Sequence, residues 1–167
     1  MRGHFRLSAG LIALLAAPVP VAATLPSDET RIENMANNLL KALSGEGNYT
    51  LTELMLPDGV MMEVDQRDPE NPKVTSLTNA QYLAKHQANE TDVSERMEYD
   101  VIIASDGVGQ VWGPYRFMVD GKTMHCGIKS LSFVEINEDL WRLGNSSYTV
   151  LPPEACANLG APAEPAQ

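Results

Sequence analysis

Basic residues are scarce in this chain. Twelve Lys and Arg stand against 22 Asp and Glu, for a net charge of −10 over 167 residues. Nucleic acids and anionic bilayers both recruit proteins through clustered cations, so neither is an expected partner. The acidic surface reads as solubility. Cysteine is nearly absent: only Cys126 and Cys156 occur. Two thiols, with His86 and His125 at no zinc spacing, cannot build a structural zinc site. The turns Asp58-Gly59 and Asp106-Gly107 lack the spaced carboxylates that calcium needs. No metal or other cofactor is therefore expected. No internal repeat is present, and long apolar runs are missing outside the first segment.

That first segment is a processing signal in form. MRGHFR is basic, LSAGLIALLAAPVPVAA is a short apolar run broken by Pro18 and Pro20, and Val21-Ala22-Ala23 offers small residues for cleavage. This is the pattern of a secretory signal peptide, too short and Pro-broken for a membrane span. The expected organisation is a leader over 1–23, one domain over 24–156 and a disordered Pro/Ala-rich tail over 157–167. The Ala-rich leader looks bacterial, which implies a periplasmic or secreted protein without a membrane anchor after cleavage. In an oxidising compartment Cys126 and Cys156 are most simply one disulfide. The alternative is two free thiols, one buried. Asn48, Asn89 and Asn145 each open a glycosylation pattern that would matter only in a eukaryotic secretory route.

Along the mature chain, Ser27-Asp28-Glu29-Thr30 caps a run with Ile32, Met35, Leu39, Leu40 and Leu43 at helical spacing, closed by Gly45 and Gly47. A second short helix fits 48–56, a turn 57–59 and a strand 60–64. Residues 65–73 read as loop, 76–88 as helix and 95–104 as one strand. From Val108 to Thr149 the chain reads strand, turn, strand, short loop, strand. Helices that precede a largely antiparallel sheet make an α+β fold. A long sheet curled over N-terminal helices forms a cone, and such cavities commonly hold small molecules.

Asp120-Gly121 lies between two β-rich runs and is a strong hairpin signal. A two-residue loop there sets Val119 against Lys122, Phe117 against Met124, Arg116 against His125 and Tyr115 against Cys126. Alternation then puts Tyr115, Phe117, Met124, Cys126 and Ile128 on the helix-packed face, extended by Val134, Ile136, Trp141 and Leu143. Trp112, Arg116, His125, Lys129, Glu135 and Arg142 fall on the other face, open to solvent or to a homodimer through the sheet. A bulge lying before residue 125 would reverse the facing of His125.

The ordered series Glu95-Arg96-Met97, Val111-Trp112-Gly113-Pro114-Tyr115-Arg116-Phe117, Asp120-Gly121-Lys122, His125-Cys126-Gly127, Trp141 and Tyr148-Thr149, with the late Cys156, resembles exported members of the nuclear-transport-factor-2-like superfamily. Within it the series is similar to the SnoaL-like and lumazine-binding-like branch. The likeness covers residues 95–156; the helical half agrees in element order. It implies an α+β cone of three helices on a curved sheet, often dimeric. It implies no single activity, since the superfamily holds isomerases, dehydratases, cyclases and binding domains. Its catalytic members place an acid and a hydrogen-bonding Tyr or Asp in the cone, and no such set maps onto this chain residue by residue.

The expected function is therefore an exported binding domain that holds a mostly apolar small molecule, with Tyr115, Phe117, Met124 and Trp141 as its contacts. The alternative is an isomerase, dehydratase or cyclase that uses His125, Tyr115 and Glu95. In that reading Arg116 is a donor beside His125, and nearby cations keep the imidazole neutral and able to act as a base. The discriminating feature is the face on which His125 lies.

Overall fold

Ser27 caps the first helix by accepting a hydrogen bond from Thr30 N, and Asp28 and Glu29 complement the positive helix end. This computed structural model describes residues 26–87, 91–138 and 140–164; the expected leader lies outside them. Helix α1 runs Asp28–Leu43 and buries the stripe Ile32, Ala36, Leu39 and Leu43. The short helix α2 spans Leu51–Leu54. Strands β1 (Val60–Asp65) and β2 (Lys73–Thr78) precede helix α3 (Asn79–Gln87). Then follow β3 (Val93–Met97), β4 (Val101–Ser105), β5 (Val108–Val119), β6 (Lys122–Asn137) and β7 (Leu140–Val150).

The architecture is α+β: few helices packed on one large, open, mixed sheet. Its order is β2-β1-β7-β6-β5-β3, with β4 sharing β5. Only β1 and β7 run parallel among the described pairs. The main core joins α1 and α2 to Val111, Tyr115, Leu131, Phe133, Trp141 and Leu143. Asn79 at the start of α3 is fully buried, and its amide donates to the carbonyls of Leu56 and Gly144. One polar side chain thus ties α3 to both α2's exit and β7.

Four expectations of element and order need correction. Residues 73–78 form a strand rather than loop and helix start, and α3 begins only at Asn79. As an edge strand exposed nearly throughout, β2 carries no apolar alternation to reveal it. The run 95–104 is two strands, not one. The chain crosses over Gly113, where a Cβ would lie 2.1 Å from the Glu98 carbonyl, so β3 and β4 pair successive parts of β5. Residues 157–164 are not a free tail. Pro162 is buried, and the Ala163 carbonyl accepts from Arg96.

Candidate functional site

The Asp120-Gly121 turn forms as its residues dictate, both at positive φ (51° and 73°). Val119 pairs with Lys122 and Met118 with Thr123. The ladder then slips: Phe117 pairs with His125, Arg116 with Cys126 and Tyr115 with Gly127. Met124 is the extra residue of a β-bulge, and every side chain after it changes face. The expected pairings beyond residue 123 are thereby corrected. His125 and Lys129 face the helices, while Cys126 faces outward. A second irregularity shifts the β6–β7 end, where Trp141 pairs with Glu135 and Arg142 with Val134.

Beneath the helices lies a cavity of about 330 Å³. Its apolar wall comes from Leu39, Leu43, Met55, Met61, Phe117 and Leu131, and its polar lining from Glu63, Glu95, His125, Lys129, Ser146 and Tyr148. Helix α3 contributes Tyr82, Lys85 and His86. Alternation places these groups together: β1 turns Met61 and Glu63 the same way, β7 Ser146 and Tyr148, and β6 His125 and Lys129.

His125 stacks on Phe117, ring centroids 4.8 Å apart, with its Nδ1 3.1 Å from the Tyr115 hydroxyl. The same hydroxyl lies 2.8 Å from the Thr149 carbonyl oxygen. A carbonyl can only accept, so the single Tyr115 proton goes to Thr149. The Tyr115 oxygen must then accept from His125 Nδ1–H. This assigns the tautomer: the lone pair sits on Nε2, which has no hydrogen-bond partner among the described residues. Burial, helped by the nearby Lys129 and Arg67 charges and opposed by Asp65, lowers the His125 pKa from 6.5 to about 4. The imidazole is neutral at physiological pH. Burial raises Tyr115 and Tyr148 well above the ordinary phenol range, so both remain protonated donors.

Lys129 and Glu95 form a buried ion pair, with Nζ 2.5 Å from both carboxylate oxygens. The ammonium also lies 4.5 Å from the Tyr115 ring centroid and 4.9 Å from that of Tyr148. Tyr148 donates to Glu63 at 2.8 Å. The Ser146 hydroxyl is buried without a hydrogen-bond partner among the described residues.

Of the candidates read from sequence, His125, Glu95 and Phe117 line the cavity. Tyr115 is fully buried behind the wall, where it holds His125. Met124 is 47% exposed and stands away from the cavity, because the bulge turns it out. Trp141 is packed in the core and does not line the cavity. Arg116 does not face His125 but reaches outward to the C-terminal segment. Lys129, Glu63, Ser146 and Tyr148 were missed as cavity groups. The Met61/Glu63 and Ser146/Tyr148 alternations were readable, but nothing local says that a strand's polar face points inward.

The cysteines are joined as expected, with Cα atoms 5.5 Å apart. No helix among the described residues is long and apolar enough to cross a membrane.

No family model matches the chain, and no curated protein does. Solved structures do. An NTF2-like protein from Cytophaga hutchinsonii superposes with a TM-score of 0.60 at 12% identity, over 75% of this chain and 99% of that one. A conserved protein from Planctomyces limnophilus gives 0.58 at 16% identity, over 75% and 97%. A nuclear transport factor 2 superfamily protein from Salmonella enterica gives 0.54 at 13%, over 74% and 90%. At such identities the likeness is one of fold.

Proposed function

We propose that this chain, with its nuclear-transport-factor-2-like fold, uses the cone cavity to bind one small molecule with an apolar body and a hydrogen-bond donor at its polar end. The observation that carries the reading is the Thr149–Tyr115–His125 chain, which leaves a bare acceptor on Nε2 of a neutral ring that lines the cavity. A half-buried acceptor on the cavity wall, with no partner among the described residues, favours an occupant that donates over a wholly apolar one. A volume near 330 Å³ suits a ligand of one or two fused rings. An exported, oxidising location agrees with the disulfide.

Proton transfer is the second reading, and the same lone pair favours it. His125 would be the acceptor of a substrate proton, with the Lys129 ammonium as the nearby positive charge. Tyr115 and Glu95 would be positioning residues, since their polar atoms already hold His125 and Lys129.

The test uses 2-naphthol and 2-methoxynaphthalene, alike in body but only the first a donor. The expected result is that 2-naphthol raises the melting temperature of the wild type, that the ether does so much less, and that His125→Phe removes the difference. Equal responses to both probes in wild type and variant would reject the site. A metabolite that co-purifies and is returned chemically altered would move the reading to catalysis.

A further inference from the structure

Met124 and His125 are the wrong way round for the hydrophobic effect. The thioether is 47% exposed, while the imidazole next to it is turned into the cavity and loses its charge there. The turn residues alone favour the regular pairing, Phe117 with Met124 and Arg116 with His125, which would bury the Met and expose the His. That alternative is close in structure. It needs only that the bulge move past Cys126 to Gly127, a residue type that tolerates bulges.

What opposes it lies on the outer face. Cys126 is bonded to Cys156. It also exchanges backbone hydrogen bonds with Leu151 at 3.2 and 2.8 Å. Arg116, its partner across the ladder, donates from Nε to the Pro162 carbonyl at 2.5 Å and from Nη1 to Thr123 Oγ1 at 2.8 Å. Thr123 in turn donates to the Glu164 carboxylate, which also lies 3.7 Å from Arg116. The residues that flank the bulge, Thr123, Cys126 and Arg116, are thus all gripped by residues 151–164.

We propose that this C-terminal strap is a parity lock for the cavity. Neighbouring strand residues face opposite sides, so a bridge that pins Cys126 outside pins His125 inside. Cys126, Cys156, Arg116, Thr123 and Glu164 are positioning residues for His125. Without the strap the bulge shifts, Met124 enters the cavity, and His125 emerges beside Arg116. The inference rests on the proposed site only for its consequence, a cavity with or without its acceptor. The lock itself is read without any ligand.

The experiment follows the His125 ring resonances by NMR across pH, assigned by their absence from a His125→Gln spectrum among the three histidines of the chain. The ring touches Tyr115 and Phe117 and shares the cavity with Lys129, Glu95, Glu63, Tyr148 and, from α3, Tyr82, Lys85 and His86, with Asp65 and Arg67 nearby. In the oxidised protein His125 should titrate near pH 4. Dithiothreitol is then added; it passes two electrons and two protons to the bridge and closes into its own disulfide. In the reduced, folded protein His125 should titrate about two units higher, near the ordinary histidine value. Deleting Met124 makes the regular pairing place His125 opposite Phe117 without a bulge. In that variant reduction should leave the low titration unchanged. A wild type that keeps its low titration and its Tyr115–His125 contact after reduction would overturn the lock. So would a reduced Met124 deletion that titrates as an exposed histidine. Should reduction unfold the wild type, the double variant Cys126→Val/Cys156→Ser removes the bridge with a strand-forming side chain at 126: His125 should then titrate near the ordinary histidine value, and an unchanged low titration would overturn the proposal. Loss of the 2-naphthol response with an intact titration shift would reject the ligand site and leave the lock standing.

Discussion

His125 carries its ring proton on Nδ1 because the Tyr115 hydroxyl already donates its hydrogen bond to the Thr149 carbonyl. The charged ring is disfavoured in the folded state, and this links the residue to stability. Its folded pKa of about 4 lies below the ordinary 6.5. Between those values the unfolded chain binds a proton that the folded chain refuses, so stability falls as pH is lowered through this window. The contribution is whole above about pH 6.5 and is lost by about pH 4, with a ceiling of roughly 3 kcal/mol. His125→Gln keeps a polar side chain but cannot titrate. Urea unfolding at pH 7 and pH 4.5 should show the wild type losing more stability than the variant, since carboxylate titration is common to both. A wild-type-to-variant gap that stays constant would disprove the buried neutral ring. Lys129 and Glu95 make the complementary point. Each is tolerable in the cavity wall because the other is there.

The β5–β6 hairpin is the element on which the site depends. Its turn is specified by two residues, whereas its register is specified by what grips the far side. Gly127 shows how close β6 and β7 approach: a Cβ there would lie 1.9 Å from the Thr149 carbonyl oxygen. The same stretch holds the Ile128 N to Thr149 Oγ1 hydrogen bond, at 3.0 Å, and the carbonyl that fixes Tyr115. Gly127→Ala is expected to destabilise by about 1–3 kcal/mol, because the added methyl meets backbone that cannot step aside. It should also raise the His125 titration as Thr149 is displaced. Denaturant midpoints and the NMR titration check both effects; an unchanged midpoint would mean that the strands stand further apart than described. Gly121→Ala, which meets open space but must hold a φ of +73°, should cost about 1 kcal/mol and leave the cavity alone.

At the scale of the whole molecule, the helices close one face of the sheet and the C-terminal strap covers part of the other. The disulfide that anchors the strap spans a sequence separation of 30 residues. On the chain-entropy account such a loop stabilises by roughly 3–4 kcal/mol. Cys156→Ala is expected to lower the unfolding free energy by about that amount under oxidising conditions, a large part of a small domain's net stability. Equal urea midpoints for the variant and the oxidised wild type would remove the bridge from the account of stability.

The α+β class, the α1 stripe from Ile32 to Leu43, the Asp120-Gly121 turn and the Cys126–Cys156 pairing were all legible in the sequence, because each rests on local spacing, turn chemistry or the only two thiols present. The edge strand β2 was not, since a strand exposed on both faces leaves no alternation. The facing of His125 was not either. Local pairing pointed it outward and Met124 inward, and both assignments were reversed by one bulged residue. A bulge in a hairpin is decided by contacts distant in sequence, here Cys156, Pro162 and Glu164 on the outside and Thr149 behind Tyr115 on the inside. Sequence alone therefore determined that there would be a curled sheet, a turn and a histidine beside it. Only tertiary structure decided that the histidine, its lysine neighbour and two carboxylates would share one cavity, because side-chain parity along a strand is set by register, and register by the partners a strand finds across the fold.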